Sequence, residues 1–218
     1  MGTRDGTPVM SGATQHENRA GTAPRPDLRQ RRRASVRREI ALRAIELFDA
    51  QGFGETTVEQ IAAAAGISLR TFYRHCAVKE EVLTPLLTEG VEELVRALAA
   101  RPSGEPLVDA ARTALLAGSS VNGADTRRTA RVMLAEPALK ARWLAAGRRA
   151  QDLLTPVVAE RVGAGPGEGV VAAALAGMLV NVATTALEYW ALHPDGEPLG
   201  VVTQEAFGAV AAFGRPGA

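Results

Sequence analysis

The apolar and polar positions between residues 56 and 79 predict two short helices joined by a tight turn. The first helix is expected to begin near Val58, because the residues on either side of it form two overlapping capping boxes. It is expected to end at Gly66, since glycine readily adopts the left-handed conformation that terminates a helix. Ser68 is a suitable N-cap for the second helix, which is predicted to cover residues 69–75.

The residues at the predicted crossing of these two helices favour a helix-turn-helix. Ala62 is small enough for close approach, Gly66 makes the turn, and Phe72 fills the angle between the helices. The exposed face of the second helix carries hydrogen-bond donors and no acidic residue: Arg70, Thr71, Tyr73, Arg74 and His75. Such a helix suits the DNA major groove, where phosphates and base edges require donors. On these residues alone, an ordinary solvated hairpin with a basic face stays open as the alternative.

The residues before the helix-turn-helix are predicted to be a disordered arm followed by one helix. Residues 1–30 are rich in glycine, proline, threonine and arginine without periodicity, which is typical of disorder. Residues 34–51 have a helical apolar stripe that ends at Gly52. The net charge of the chain is only +1, but arginines cluster before the helix-turn-helix: Arg29, Arg31, Arg32, Arg33, Arg37 and Arg38. The arginines at the end of the arm are expected to enter a minor groove or lie along phosphates, or only to keep the tail soluble.

A longer set of residues extends the helix-turn-helix pattern in both directions. It comprises Ala41, Ala44, Leu47, Phe48, Gly52–Phe53, Thr56–Thr57, Ile61–Ala62, Ala65–Gly66–Ile67, Thr71–Phe72–Tyr73 and Lys79–Glu80. With these residues, the segment 34–83 closely resembles the N-terminal domain of the TetR family of transcriptional repressors. The rest of the chain resembles that family only as a generic all-helical region.

The resemblance also implies roles for individual residues. By their match to family positions, one group is expected to touch mainly the DNA backbone: Thr57, Thr71, Tyr73, His75 and Lys79. A second group lies at the N-terminal end of the recognition helix and is expected to read bases: Ser68, Leu69 and Arg70. The partner implied is a double-stranded operator DNA.

The residues after position 80 predict further helices. A fourth helix is expected over residues 79–100, with Pro85 inside it and a bend there as a candidate flexure. Later helices are predicted at 106–116, 126–135, 137–162, 168–192 and 200–213. Pro156 argues against a single straight helix over 137–162. The predicted fold class is therefore all-α, with a three-helix DNA-binding head and a C-terminal helical bundle. The expected boundaries are an arm over 1–30, a head over 31–80 and a ligand-binding and dimerisation body over 81–218.

The last two predicted helices have more apolar and small residues than a single chain can cover. We therefore expect a homodimer, in which this pair of helices from each subunit forms a two-fold four-helix interface. A small-molecule ligand is expected to bind inside the body, between the fourth helix and those after it. The candidate lining is Met133, Trp143, Met178, Asn181 and Thr185, although each of these residues is more often plain core, because methionine and tryptophan are common core fillers.

Other chemistry has little support in the sequence. The three histidines are scattered, and neither a catalytic motif nor a cysteine–histidine metal cluster is present, so we expect no enzyme activity, cofactor or metal. The single cysteine, Cys76, is interpreted as a buried thiol, with a redox switch as the alternative.

Residues 169–187 are uncharged but rich in alanine, which favours a core helix over a membrane span. A cytoplasmic protein is expected, because the N-terminus lacks the apolar stretch of a secretory signal.

The most economical functional prediction is a TetR-like transcriptional regulator. It would act as a repressor that a small molecule releases from a palindromic operator. The alternative is a helical ligand-binding or scaffold protein that does not bind DNA.

Overall fold

The structure is a computed structural model that describes residue 2 and residues 28–120, 123–165 and 167–213. Within these residues the chain forms nine α-helices and no β-strand, which confirms the predicted all-α fold. The helices are α1 (Leu28–Gln51), α2 (Val58–Ala64), α3 (Leu69–His75), α4 (Thr84–Ala99), α5 (Leu107–Ser120), α6 (Gly123–Ala135), α7 (Pro137–Val162), α8 (Gly169–Leu192) and α9 (Leu199–Phe213). Most of the disordered arm predicted for residues 1–30 lies outside the described residues.

The helix-turn-helix begins, turns and ends at the residues that the local sequence signals predict. Thr57 caps α2 with a complete capping box, in which its Oγ1 accepts the Gln60 amide at 3.2 Å and its amide donates to Gln60 Oε1 at 2.8 Å. Gly66 has a φ of 64°, a left-handed conformation that favours glycine. The Ile67 amide then closes the turn on the Ala62 carbonyl at 3.0 Å. This geometry fixes the angle between α2 and α3.

Two predicted helix boundaries near the head are wrong. The first helix begins at Leu28, not near residue 34, so the end of the predicted arm is helical. Arginine is a good helix former, and no residue in this segment interrupts the helix. The fourth helix begins at Thr84 after a short 3₁₀ turn over Lys79–Glu81, which places Pro85 in its first turn. Because proline at that position removes no helical hydrogen bond, the predicted bend at Pro85 does not exist.

Helix α7 continues through Pro156 as one helix of 26 residues, so the proline does not interrupt it. Leu154 and Val158 flank the proline and are buried at 2% and 0% exposure, so packing on both sides holds the helix together.

The loop expected at residues 118–125 is shorter than predicted. Helix α5 continues to Ser120, α6 begins at Gly123, and residues 121–122 lie outside the described part of the chain.

The head and the body share a hydrophobic core. Ile40 and Phe48 of α1 and Phe72 of α3 belong to the same buried cluster as Met133 of α6 and Leu139 of α7. Ion pairs add to this junction: Asp49 of α1 meets Arg128 and Arg131 of α6, and Glu81 meets Arg142 of α7 at 3.0 Å. A second buried cluster holds α4, α5, α7, α8 and α9 together. The head and the body are therefore joined by packed side chains and ion pairs.

Helix α8 is the one described helix that is long and apolar enough to cross a membrane by length and composition. Part of its surface is buried against its neighbours, including Ala172, Ala176, Leu179 and Ala183. The rest of its apolar surface faces outward in the single subunit.

Candidate DNA-binding surface and internal cavity

The recognition helix α3 presents the predicted base-reading residues to solvent. Ser68 caps the helix by accepting the Thr71 amide at 3.2 Å, and the two hydroxyls lie 3.0 Å apart. Leu69 and Arg70 are exposed in the first turn, and Tyr73 follows one turn later at 54% exposure. The opposite side of the helix is anchored by the fully buried Phe72. The helix therefore has a firm position and a free outer face.

Thr57 lies at the start of α2 and is also exposed. Its Oγ1 serves as an acceptor in the capping box, which leaves the hydroxyl hydrogen available to a phosphate. Thr71 is half-buried beside Ser68. Both threonines lie at the N-terminal ends of the two helices of the helix-turn-helix.

His75 does not lie on the exposed face where the sequence placed it. Its side chain is 8% exposed, and its Nδ1 has no hydrogen-bond partner among the described residues. Burial, followed by the charges of Arg74, Arg33 and Arg37, lowers the pKa of the His75 imidazole. A neutral, buried ring supports the end of α3 and is a poor phosphate donor.

Lys79 is engaged within the head. Its Nζ donates to the carbonyls of Phe53 at 2.8 Å and Thr56 at 2.9 Å, and it lies 4.1 Å from the centre of the Phe53 ring. These bonds tie the end of the recognition motif to the turn before α2. These two bonds give Lys79 a structural role that the sequence did not predict. One of its three ammonium hydrogens remains for a phosphate.

Arg37 contacts the recognition helix, a role that the helix-turn-helix motif does not predict. Its Nε donates to the His75 carbonyl at 2.9 Å, which satisfies a carbonyl at the C-terminus of α3. No local signal predicts this bond, since 38 residues separate the two partners. It attaches the N-terminal half of α1 directly to the recognition helix.

A cavity of about 400 Å³ lies in the body beneath the head. Its wall is mostly apolar, and helices α4, α5, α7 and α8 contribute Leu86, Leu94, Leu115, Ala150, Val180 and Leu187. Helix α1 adds Arg38 and Leu42, and α6 adds Thr126 and Thr129. The volume lies within the range of about 300–1,000 Å³ that is usual for small-molecule sites.

Of the five residues predicted to bind ligand, Trp143 lines the cavity and the other four do not. Met133 is fully buried in the core between head and body. Met178, Asn181 and Thr185 lie on the other side of α8 from the cavity, with Asn181 and Thr185 exposed. The residues of α8 that line the cavity are Val180, Ala183, Thr184 and Leu187. Composition alone did not reveal which face of this nearly uniform apolar helix turns inward.

Polar contacts at the cavity connect the head with the body. Arg38 Nε of α1 donates to Glu89 of α4 at 3.0 Å, and both residues line the cavity. The Trp143 indole donates to Glu188 of α8 at 2.9 Å, which fixes the orientation of its ring. The cavity therefore has an apolar body, a fixed aromatic wall and a polar edge that reaches α1.

A continuous stripe of α8 is exposed or only half-buried in the described part of the chain. It follows the helical repeat and consists of Val171, Ala174, Met178, Asn181, Thr185, Tyr189 and Leu192. Val171, Tyr189 and Leu192 are 50%, 54% and 58% exposed. We call these seven residues the outer α8 stripe.

Cys76 is a buried thiol whose Sγ donates to the Val78 carbonyl at 3.0 Å. Burial raises the pKa of Cys76 to about 11, with Glu81 as the next contribution. A thiol in this state forms little thiolate at neutral pH. The interpretation as a structural thiol is therefore favoured over the redox switch.

Comparison with known families gives matches across both halves of the chain. The family described as bacterial regulatory proteins of the tetR family matches residues 40–84, and the family described as the MftR C-terminal domain matches residues 105–213. The first match covers the helix-turn-helix, and the second covers the helices from α5 to α9.

Individual proteins agree with these families. The HTH-type transcriptional regulator TcmR of Streptomyces glaucescens is 35% identical over 162 residues, which are 70% of this chain and 72% of TcmR. A Mycobacterium tuberculosis protein named for regulation of mycofactocin biosynthesis, MftR, is 32% identical over 200 residues, or 90% of this chain and 96% of MftR. Among solved structures, the SmeT complex with triclosan has a TM-score of 0.61 at 22% identity and covers 82% of this chain and 91% of SmeT. The SmeT structure has the same fold.

Proposed function

The chain belongs to the TetR family of bacterial transcriptional regulators, and we propose that it is a dimeric repressor that a small molecule releases from a palindromic operator. Helix α3 reads bases in the major groove through Arg70 and its exposed neighbours Ser68 and Leu69. Thr57, Thr71, Tyr73 and the remaining N–H of Lys79 contact phosphates. Such a protein works in the cytoplasm, where the operator is.

The homodimer is proposed to form through the outer α8 stripe together with the exposed side of α9. Apolar residues that are half exposed along a whole helix favour burial against a second helix. A two-fold axis also matches the function, because two recognition helices read two half-sites about one helical turn apart. Met178, Asn181 and Thr185 then belong to the subunit interface, and we no longer propose them as ligand residues.

The ligand is proposed to be an apolar molecule that occupies the cavity beneath α1. The apolar walls favour a hydrophobic body, and the Trp143 ring offers a flat surface for stacking. Hydroxyls of Thr126, Thr129 and Thr184 lie at the wall and can orient a polar group. The related fold of SmeT holds triclosan according to the name of that complex, which supports a body that accepts compact apolar molecules.

The observation that carries this proposal is the presence of Arg38 and Leu42 in the cavity wall. Both residues belong to α1, which is also a helix of the DNA-binding head. A ligand at this wall therefore touches the head directly as well as α4. It releases DNA if it binds better to a conformation in which the two heads are spaced wrongly for successive major grooves.

Operator selection followed by ligand screening tests the proposal. The full-length protein would be used to select DNA from a random library, and a palindromic sequence bound by two subunits is expected. Arg70→Ala should change the preferred sequence and weaken binding by about 1–3 kcal/mol if Arg70 pairs with a guanine. Compounds that raise the melting temperature would then be tested for loss of operator affinity. A protein that selects no sequence would favour the alternative of a helical ligand-binding or scaffold protein.

A further inference from the structure

The first three turns of α1 carry an unusual concentration of positive charge. Residues 28–38 contain six arginines and no acid, and all six side chains are exposed. Of the six, only Arg38 has an ion-pair partner among the described residues, and Arg37 donates to a backbone carbonyl. The other four arginines have neither contact: Arg29, Arg31, Arg32 and Arg33. The segment also contributes little to the core, since Leu28 is 77% exposed.

This arrangement is unfavourable for the isolated protein. The N-terminal end of a helix carries the positive end of its macrodipole, so cations are disfavoured in its first turns. Neighbouring arginines also repel each other, and the first turn of α1 contains no acidic residue to offset this. Within this segment, Val36 packs against the core, but the four arginines before it gain no such contact. A local conflict of this kind with little packing benefit points to a partner that supplies negative charge.

One face of this segment is directed toward the recognition helix. Arg29, Arg33 and Arg37 are spaced four residues apart, and the same row continues into the buried Ala41 and Ala44 that face the head. Arg37 hydrogen-bonds the last residue of α3 through the His75 carbonyl. Arg33 lies one turn earlier, and its charge is one of those that lower the pKa of His75. The row from Arg37 to Arg29 extends about 12 Å beyond this contact at 1.5 Å per residue.

From this geometry we infer that the Arg29–Arg33–Arg37 face of α1 is a second DNA contact, which binds backbone phosphates next to those contacted by α3. The segment binds as a helix lying along phosphates and does not enter the minor groove as an extended arm. It adds affinity without reading sequence, because arginine contacts to phosphates carry no base information. This inference rests on operator binding through α3, which the Arg70→Ala variant tests separately.

The test compares two double variants of the full-length protein that remove the same charge from the same turns. Arg29→Gln/Arg33→Gln alters the face directed toward α3. Arg31→Gln/Arg32→Gln is the control, because these two arginines lie on other faces of the helix. Arg31 shares a row with Arg38 and Leu42, which are directed toward the body. Arg32 shares a row with Glu39 and Arg43, which are directed toward solvent. Glutamine is also a good helix former, and circular dichroism would verify that both variants keep their helix content.

Affinity for the selected operator would be measured at several salt concentrations. The Arg29/Arg33 variant should bind more weakly, and its slope of log affinity against log salt should be shallower by about 3.6, because each of the two subunits on the operator loses two phosphate contacts. The control should keep a slope close to that of the wild type, and both variants should keep the wild-type sequence preference. Equal loss of slope in the two variants would mean that the arginines act only as diffuse charge, and this would overturn the inference. An unchanged slope in the Arg29/Arg33 variant would overturn it as well.

Discussion

Arg38 of α1 and Glu89 of α4 form an ion pair with an Nε to Oε2 distance of 3.0 Å at the edge of the internal cavity. The pair joins the DNA-binding head to the helix that leads into the body. Both side chains are 47% exposed, so solvent screens the pair and its contribution to stability is small. Its position makes it more important for coupling than for folding, because a ligand in the cavity meets both residues.

Glu89→Gln should reduce the effect of a bound ligand on operator affinity while changing either binding alone much less. The variant removes the charge that holds Arg38 at the cavity edge. The coupling is measured as the ratio of operator affinities with and without a screened ligand. Asp49→Asn is the matched control, because Asp49 also joins head to body by ion pairs but is outside the cavity. A greater loss of coupling in the control would show that the ligand acts through the α1–α6 junction instead.

Gly90→Leu should abolish the ligand response and leave operator binding intact. Gly90 lines the cavity on α4, and a Cβ added there meets nothing within 4 Å, so a larger side chain can extend into the space. The helix itself gains about 1 kcal/mol from losing a glycine. Ligand binding would be followed by calorimetry and by thermal shift. Gly104→Leu is the control, since Gly104 also has open space but lies outside the cavity. Normal ligand binding by Gly90→Leu would place the site elsewhere.

Lys79→Ala and Tyr73→Phe should differ in their effect on folding. Removing the lysine leaves the Phe53 and Thr56 carbonyls without their charged donor, which should lower the free energy of unfolding by about 2 kcal/mol. Tyr73→Phe removes only an exposed hydroxyl, so it should weaken operator binding without a loss of stability. Urea denaturation and operator titration on both variants test this. A fully stable Lys79→Ala protein would contradict the structural role of Lys79.

His75 should make the protein less stable in mild acid. Burial lowers the pKa of His75 below the reference value of 6.5, so the folded state binds its proton less readily than the unfolded state. The contribution of the neutral His75 ring to the free energy of unfolding is complete above pH 6.5. It is lost as the pH falls through the lower pKa that His75 has in the folded state. Urea denaturation at about pH 7.5 and 5.5 should therefore show a smaller decrease for His75→Gln than for the wild type. Carboxylates contribute equally in both proteins, so identical decreases would rule out this role of His75.

Met178→Asp should convert the dimer into monomers and weaken operator binding. Met178 lies in the middle of the outer α8 stripe, and a buried carboxylate in each subunit would have no compensating charge. Ala145→Asp introduces the same side chain at an exposed position of α7 and serves as the control. Light scattering after size-exclusion chromatography measures the mass. A dimeric Met178→Asp protein would remove the α8 stripe from the interface.

The sequence by itself determined the elements whose signals are local. The capping box at Thr57, the left-handed Gly66 and the N-cap Ser68 act within a few residues, so the helix-turn-helix was predicted with correct limits. The longer helices were predicted from periodicity, but their starts at Leu28 and Thr84 were missed. Periodicity outweighed the start signals that the sequence does contain there, Asp27 before Leu28 and Pro85 after Thr84.

Tertiary structure decided which side chains reach a site. Lys79 finds its acceptors 23 and 26 residues away, and Arg37 finds the His75 carbonyl across 38 residues, so no local pattern reveals these bonds. Helix α8 is apolar on nearly all sides, and its packing against α6 and α7 places Thr184 at the cavity and leaves Thr185 outside. Local sequence sets backbone conformation because caps and turns depend on neighbouring residues. Burial, charge environment and cavity lining depend on packing between distant helices, so they emerge only when the chain is folded.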